Sequence, residues 1–168
     1  MSDTQLEGAI QSCSLHALLI LASRALSRAG YGDVQFLDRR HARQKSRFGG
    51  HELVCEATLG TRIVKVVVKV VRDSARIRNL DELAGTVIRM GADAGLLLTP
   101  FHVTGKAQKL LDRYGPVRIS VIDGSTFADW LKELRLGIRG KDDVDYAFFG
   151  ELEAVAERVM VFMAAHVR

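Results

Sequence analysis

The 168-residue sequence contains only two cysteines, Cys13 and Cys55, two prolines, and an aromatic share of 7%. Two cysteines without CxxC or Cys/His spacing make neither a secreted disulfide framework nor a zinc site. Both are therefore expected as buried thiols in a reducing compartment. With 48% hydrophobic residues and few prolines, the chain is neither low-complexity nor disordered, because it carries enough apolar surface to offset chain entropy. The longest apolar run, Leu15 to Ala22, includes His16 and falls far short of the roughly 20 residues that a bilayer-spanning helix requires. Met1 to Ser14 holds Asp3 and Glu7 but no Lys or Arg, unlike the basic start of a secretory leader. The expectation is a cytoplasmic chain with no membrane contact. GxGxxG, P-loop, HExxH and GxSxG motifs are missing too, which removes support for dinucleotide, ATP, zincin and α/β-hydrolase chemistry.

The charge that is present is unevenly placed. The formal net charge is +4. Arg39 to Arg78 contains eleven Lys or Arg against three Asp or Glu, a balance of +8, so the remainder carries −4. A basic middle joined to an acidic tail suits a protein with one face on a polyanion such as DNA.

Hydrophobic periodicity orders the elements. Leu6 to Ala29 reads as one long helix closed by Gly30, and Tyr31 to Leu37 as a strand. DRRHARQKSRFGG, with no period and much charge, is a loop. HELVCEATL alternates, and RIVKVVVKVV is β-branched. The intervening Gly60-Thr61 suits a two-residue type II′ turn, so cross-strand partners have residue numbers summing to 121. That register places Leu53, Cys55, Val66 and Val68 on the core face, with His51 beside them. On the opposite face Glu52 stands across from Lys69, Val54 from Val67 and Glu56 from Lys65. Asn79 to Gly91 follows as a helix capped by Asn79, then Ala94 to Thr99 as a buried strand. Thr104 opens a helix to about Tyr114, Val117 to Ile122 is a further buried strand, and Thr126 to Leu134 a helix. This order implies an α/β sandwich with a central mixed sheet. Val144 to Val167 is an amphipathic helix with Phe148, Leu152, Val155, Val159, Phe162 and Met163 on one stripe, suited to packing on its own domain or to forming a homodimer.

Gly49-Gly50-His51-Glu52-Leu53-Val54, the strand Val66-Val67-Val68-Lys69, GADAGLLLTPFHVTGKAQKLL and VIDGSTFADWL, in this order, resemble the Mrr-like branch of the PD-(D/E)XK restriction endonuclease superfamily over about Ala17 to Leu134. The resemblance implies a restriction endonuclease-like fold over 1–136, with 137–168 as an acidic helical extension. It also implies Mg²⁺- or Mn²⁺-dependent DNA phosphodiester hydrolysis, in which acids hold the metal and a lysine orients or activates water. Glu52 stands at the first acidic position and Lys69 at the lysine. Val67 stands where a second acid or glutamine is expected, and a valine cannot ligate a metal. Two carboxylates offer repair. Glu56 lies one diagonal step from Val67, roughly 7–8 Å away, and Glu82 begins the following helix. Glu52, Lys69 and Glu56 are thus the candidate catalytic residues and Glu52, Glu56 and Glu82 the candidate metal ligands. Arg39, Arg40, Arg43, Lys45 and Arg47 are the candidate DNA contacts.

The chain has little room for target recognition, which a separate protein would then supply. The alternative class is a non-catalytic DNA-binding or assembly module that keeps the nuclease fold. A third is a small-molecule or protein-interaction domain. Glu52–Lys69 and Glu56–Lys65 as plain ion pairs on an exposed sheet face would need no metal at all, each worth roughly 0.2–1 kcal/mol. The histidines His41, His51 and His102 carry no motif.

Overall fold

The alternating HELVCEATL segment and the β-branched RIVKVVVKV segment form the hairpin at the heart of the sheet. They become β2 (His51–Leu59) and β3 (Arg62–Val70). A computed structural model describes residues 3–37, 51–114, 117–141 and 143–165. The expected loop contacts Arg39, Arg40, Arg43, Lys45 and Arg47, and His41 with them, lie outside the described residues. Pairing of β2 and β3 runs from His51 opposite Val70 to Leu59 opposite Arg62, the register expected from a Gly60-Thr61 turn. Gly60 has φ +61 and Thr61 does not share that left-handed region, as a type II′ turn requires.

Around the hairpin, β1 (Gly32–Phe36), β4 (Ala94–Leu98) and β5 (Arg118–Ile122) complete a five-stranded sheet in the order β1-β2-β3-β4-β5. The first three strands are antiparallel; β3, β4 and β5 are parallel. Parallel neighbours need crossovers. These are α3 (Ile77–Arg89) between β3 and β4, and α4 (Gly105–Gln108) with a 3₁₀ turn at Leu111–Arg113 between β4 and β5. On the other face lie α1 (Asp3–Ser12), α2 (Leu15–Arg28), α5 (Gly124–Glu133) and α6 (Tyr146–Ala165), with a two-stranded ribbon of β6 (Ile138–Arg139) and β7 (Asp143–Val144) before α6.

Side-chain alternation divides the core in two. Leu53, Cys55, Val66, Val68 and Val70 pack with Leu6, Leu18, Phe127 and Leu152, whereas Val67, Val71 and Leu97 pack with Leu80, Leu83 and Val87 of α3. The helices on both sides make the expected α/β sandwich. Phe149, Leu152 and Ala156 of α6 join the first cluster, so the front half of this helix is buried against its own chain.

Four expectations require correction. The long first helix is two helices, because Ser14 is extended (φ −64, ψ 159) and caps α2 by accepting the Ala17 N–H at 3.2 Å. Its own N–H is satisfied from afar by Glu153 Oε1 at 2.7 Å, a tertiary bond that no local pattern announces. Asn79 is not the N-cap of α3 but lies inside its first turn, where its side chain accepts the Arg76 N–H at 2.9 Å. The helix after Thr104 is only four residues long; tighter bonds from Leu110 N to Ala107 O and Arg113 N to Leu110 O then lay Leu111 and Tyr114 onto the α3-side cluster. Finally, β5 is half-exposed rather than buried, because among the described residues it is the last strand of the sheet.

The two thiols are buried, as expected. Burial, aided by Glu153, pushes Cys13 up to about 12, and burial pushes Cys55 up to about 11. Burial, then the hydrogen bond that Tyr114 donates to Asp81 Oδ1 at 2.9 Å, pushes this phenol up to about 12. All three ionise later in the folded than in the unfolded chain, whose thiols and phenols ionise near pH 8.5 and 10. Their contribution to stability is therefore complete below about pH 8.5 and is lost as pH rises towards 12. Urea midpoints should fall across that window, and both thiols should resist iodoacetamide at pH 8 until the protein is unfolded.

Candidate active site

Lys69 lies in a central strand where a charge is tolerated only with partners. Its side chain is 2% exposed, the largest of the fully buried side chains. It projects towards α3, and the register of the hairpin puts Glu52 directly opposite it. Lys69 Nζ is 3.6 Å from Glu52 Oε1 and 3.0 Å from Glu82 Oε2, with the two carboxylate side chains 23% and 27% exposed. The face expected to be open is therefore roofed by α3, and the pair expected on it is a three-membered cluster.

The sequence α3 supplies explains why the roof carries chemistry. Leu80, Leu83 and Val87 bury its apolar stripe, and Glu82 and Thr86, one turn apart, lie beside that stripe facing the sheet. Thr86 Oγ1 is 3.0 Å from Glu52 Oε1 and 3.1 Å from the Glu82 carbonyl, and its single proton serves one of them at a time. Arg89 Nη2 donates to Thr86 Oγ1 at 2.7 Å, which leaves the hydroxyl proton for the carboxylate or the carbonyl. Arg78 Nε is 3.5 Å from Glu82 Oε1. Thr86, Arg89 and Arg78 were not foreseen as site residues. The one signal was a threonine beside the apolar stripe, four residues after Glu82.

The site brings together Glu52, Lys69 and Glu82. It does not bring in Glu56, which stands across from Lys65, four residues and about 13 Å along the strand from Glu52. Lys65 Nζ donates instead to the Met90 carbonyl at 3.3 Å. Near it, the Lys65 N–H, then Arg62, hold Asp93 below the usual carboxylate range through bonds of 2.9 and 2.7 Å. Val67 is 0% exposed and packs among the leucines of α3. His51 lies on the other face, its ring 4.7 Å from that of His16, and exposed His102 stands 3.4 Å from Ser74 Oγ.

Whether these residues suit a hard divalent cation is tested by one atom. Glu82 Oε2 is buried and ion-paired with Lys69 Nζ at 3.0 Å, but among the described residues it accepts no hydrogen bond. A buried carboxylate oxygen with a free lone pair beside a second carboxylate is a donor set that fits Mg²⁺ or Mn²⁺, which bind through one or two carboxylates plus phosphate oxygens and waters. Among the described residues no group of three or more His, Cys, Asp or Glu assembles for a metal.

A mixed five-stranded sheet covered on both faces, with a buried lysine between a hairpin carboxylate and a helix carboxylate, is the core of a restriction endonuclease-like protein. Residues 10–131 match the Mrr_cat model of the restriction endonuclease family, and the chain belongs to that family, the Mrr-like branch of the PD-(D/E)XK superfamily. No curated protein matches the sequence. Among solved structures, the MspJI restriction endonuclease in complex with a 27-mer oligonucleotide is similar at 18% identity with a TM-score of 0.48. The similarity covers 84% of this chain but 31% of that one, so this chain spans less than a third of its length. No helix among the described residues is long and apolar enough to cross a membrane.

Proposed function

We propose that the protein is a metal-dependent DNA endonuclease in which Glu82 of α3 replaces the acid missing at Val67. Glu52 and Glu82 would hold Mg²⁺ or Mn²⁺, which when bound supplies Lewis-acid polarisation of the scissile phosphate and a more acidic water. Lys69, fixed by both carboxylates, orients the attacking water and faces the charge that develops on the phosphoryl oxygens. Thr86, steadied by Arg89, holds the Glu52 carboxylate in one orientation. Arg39, Arg40, Arg43, Lys45 and Arg47, in the segment leading into Glu52, would neutralise DNA phosphates, which would make affinity fall steeply with salt. The single observation that carries this reading is the buried Lys69 ammonium between two carboxylates, one with an oxygen that accepts no hydrogen bond among the described residues.

A second reading, a nuclease-fold DNA-binding module without catalysis, is favoured by one observation, the complete burial of Val67 at the usual acidic position. Incubation of supercoiled plasmid, unmodified and methylated, with Mg²⁺ or Mn²⁺ separates the two. Cleavage that EDTA and Lys69→Ala both abolish supports the enzyme; salt-sensitive binding without cleavage under any of these conditions supports the module.

A further inference from the structure

Beyond Lys69, the chain of β3 runs past the edge of the sheet as Arg72–Arg76 and is tied there to the segment that follows β4. Ala75 N donates to His102 O at 3.1 Å, Thr104 N donates to Ala75 O at 2.9 Å, and Ala75 and Val103 form a parallel bridge. Thr99 Oγ1 donates to the Asp73 carbonyl at 2.8 Å, which secures the same ledge from below. The two segments, 72–79 and 99–109, contain five Lys or Arg against the single Asp73. Arg76 directly follows bridged Ala75, and Lys106 lies in the first turn of α4, three residues after bridged Val103. Both are exposed, and among the described residues neither has an ion-pair partner. Arg78, by contrast, is engaged at the border of the site by Glu82.

Three hydrogen bonds thus fix the backbone that carries these two exposed cations, and exposed cations on a fixed backbone suit a polyanion. From this we infer that Arg76 and Lys106 form a phosphate ledge that grips one strand of duplex DNA beside the scissile position. The inference rests on the nuclease reading for where the DNA lies. Arg76 precedes Glu82 by six residues on or beside α3, about 9 Å along the helix axis.

The test is fluorescence anisotropy of labelled duplex DNA in EDTA across a salt series, comparing wild type, Arg76→Ala/Lys106→Ala, and the charge-matched control Arg28→Ala/Arg158→Ala on the opposite face. The ledge variant should bind roughly three- to tenfold more weakly, with its log–log salt slope reduced by about 1.8, while the control keeps the wild-type slope. Thermal melting of each variant checks that the fold is kept. An unchanged slope in the ledge variant, or an equal reduction in the control, overturns the inference. Metal-dependent cleavage by wild type is scored separately. Cleavage with an unchanged slope removes the ledge alone, binding with the altered slope but no cleavage removes the enzyme alone, and no binding by wild type removes both.

Discussion

Lys69→Met is expected to abolish DNA cleavage, by about 10³-fold or more in single turnover, and at the same time to lower stability by about 3 kcal/mol. The two effects have separate origins. Catalysis loses the ammonium beside the attacking water, whereas stability suffers because Glu52 and Glu82 are left facing each other without the cation that now sits 3.6 and 3.0 Å from them. Breaking a buried ion pair by removing one partner typically costs about 3–5 kcal/mol, and the lower end applies because each carboxylate keeps about a quarter of its surface in water. Denaturant midpoints and single-turnover rates measured on the same preparation read the two effects independently. A folded variant that still cuts would remove Lys69 from the catalytic role. A variant with an unchanged midpoint would show that the cluster is not coupled as its distances imply.

Glu82→Gln should reduce metal-dependent cleavage by about 10²- to 10³-fold while lowering stability by about 1 kcal/mol or less, since Gln preserves the shape and Glu52 still partners Lys69. Glu56→Gln should leave the rate near wild type, because Glu56 stands four residues from Glu52 along β2. Val67→Glu completes the comparison. Val67 packs against Leu80 and Leu83, so an acid there is buried in apolar surroundings and should destabilise by several kcal/mol with no gain in rate. If Val67→Glu instead raises activity, the site is a relic awaiting its acid, and the assignment to Glu82 falls. If Glu82→Gln and Glu56→Gln exchange outcomes, the metal is held along the strand and not from the helix.

What the amino-acid sequence determined by itself is what short-range rules govern. The hairpin register followed from a two-residue Gly60-Thr61 turn and the period of two along each strand, and those together placed Glu52 opposite Lys69 and Val54 opposite Val67 before any tertiary contact was known. The α/β sandwich and its mixed sheet were legible for the same reason, since element order and apolar runs constrain the possible connections. Where the reading erred, the deciding contact was distant in sequence. Ser14 ended a helix at its bond to Glu153, 139 residues away. The half-exposure of β5 follows from its place at the end of the sheet, with no strand among the described residues beyond it. The convergence on Lys69 depends on a distant contact too: the packing of α3 onto Val67 and Leu97 turns Glu82 and Thr86 towards Lys69, while Glu56 stands across from Lys65. Local periodicity says which face of a helix is buried, but the rotation and depth at which that face meets the sheet depend on side chains from several strands at once. For that reason Glu52, Lys69 and Glu82 could be named from the sequence, whereas their convergence and the roles of Thr86, Arg89 and Arg78 came only with the folded chain.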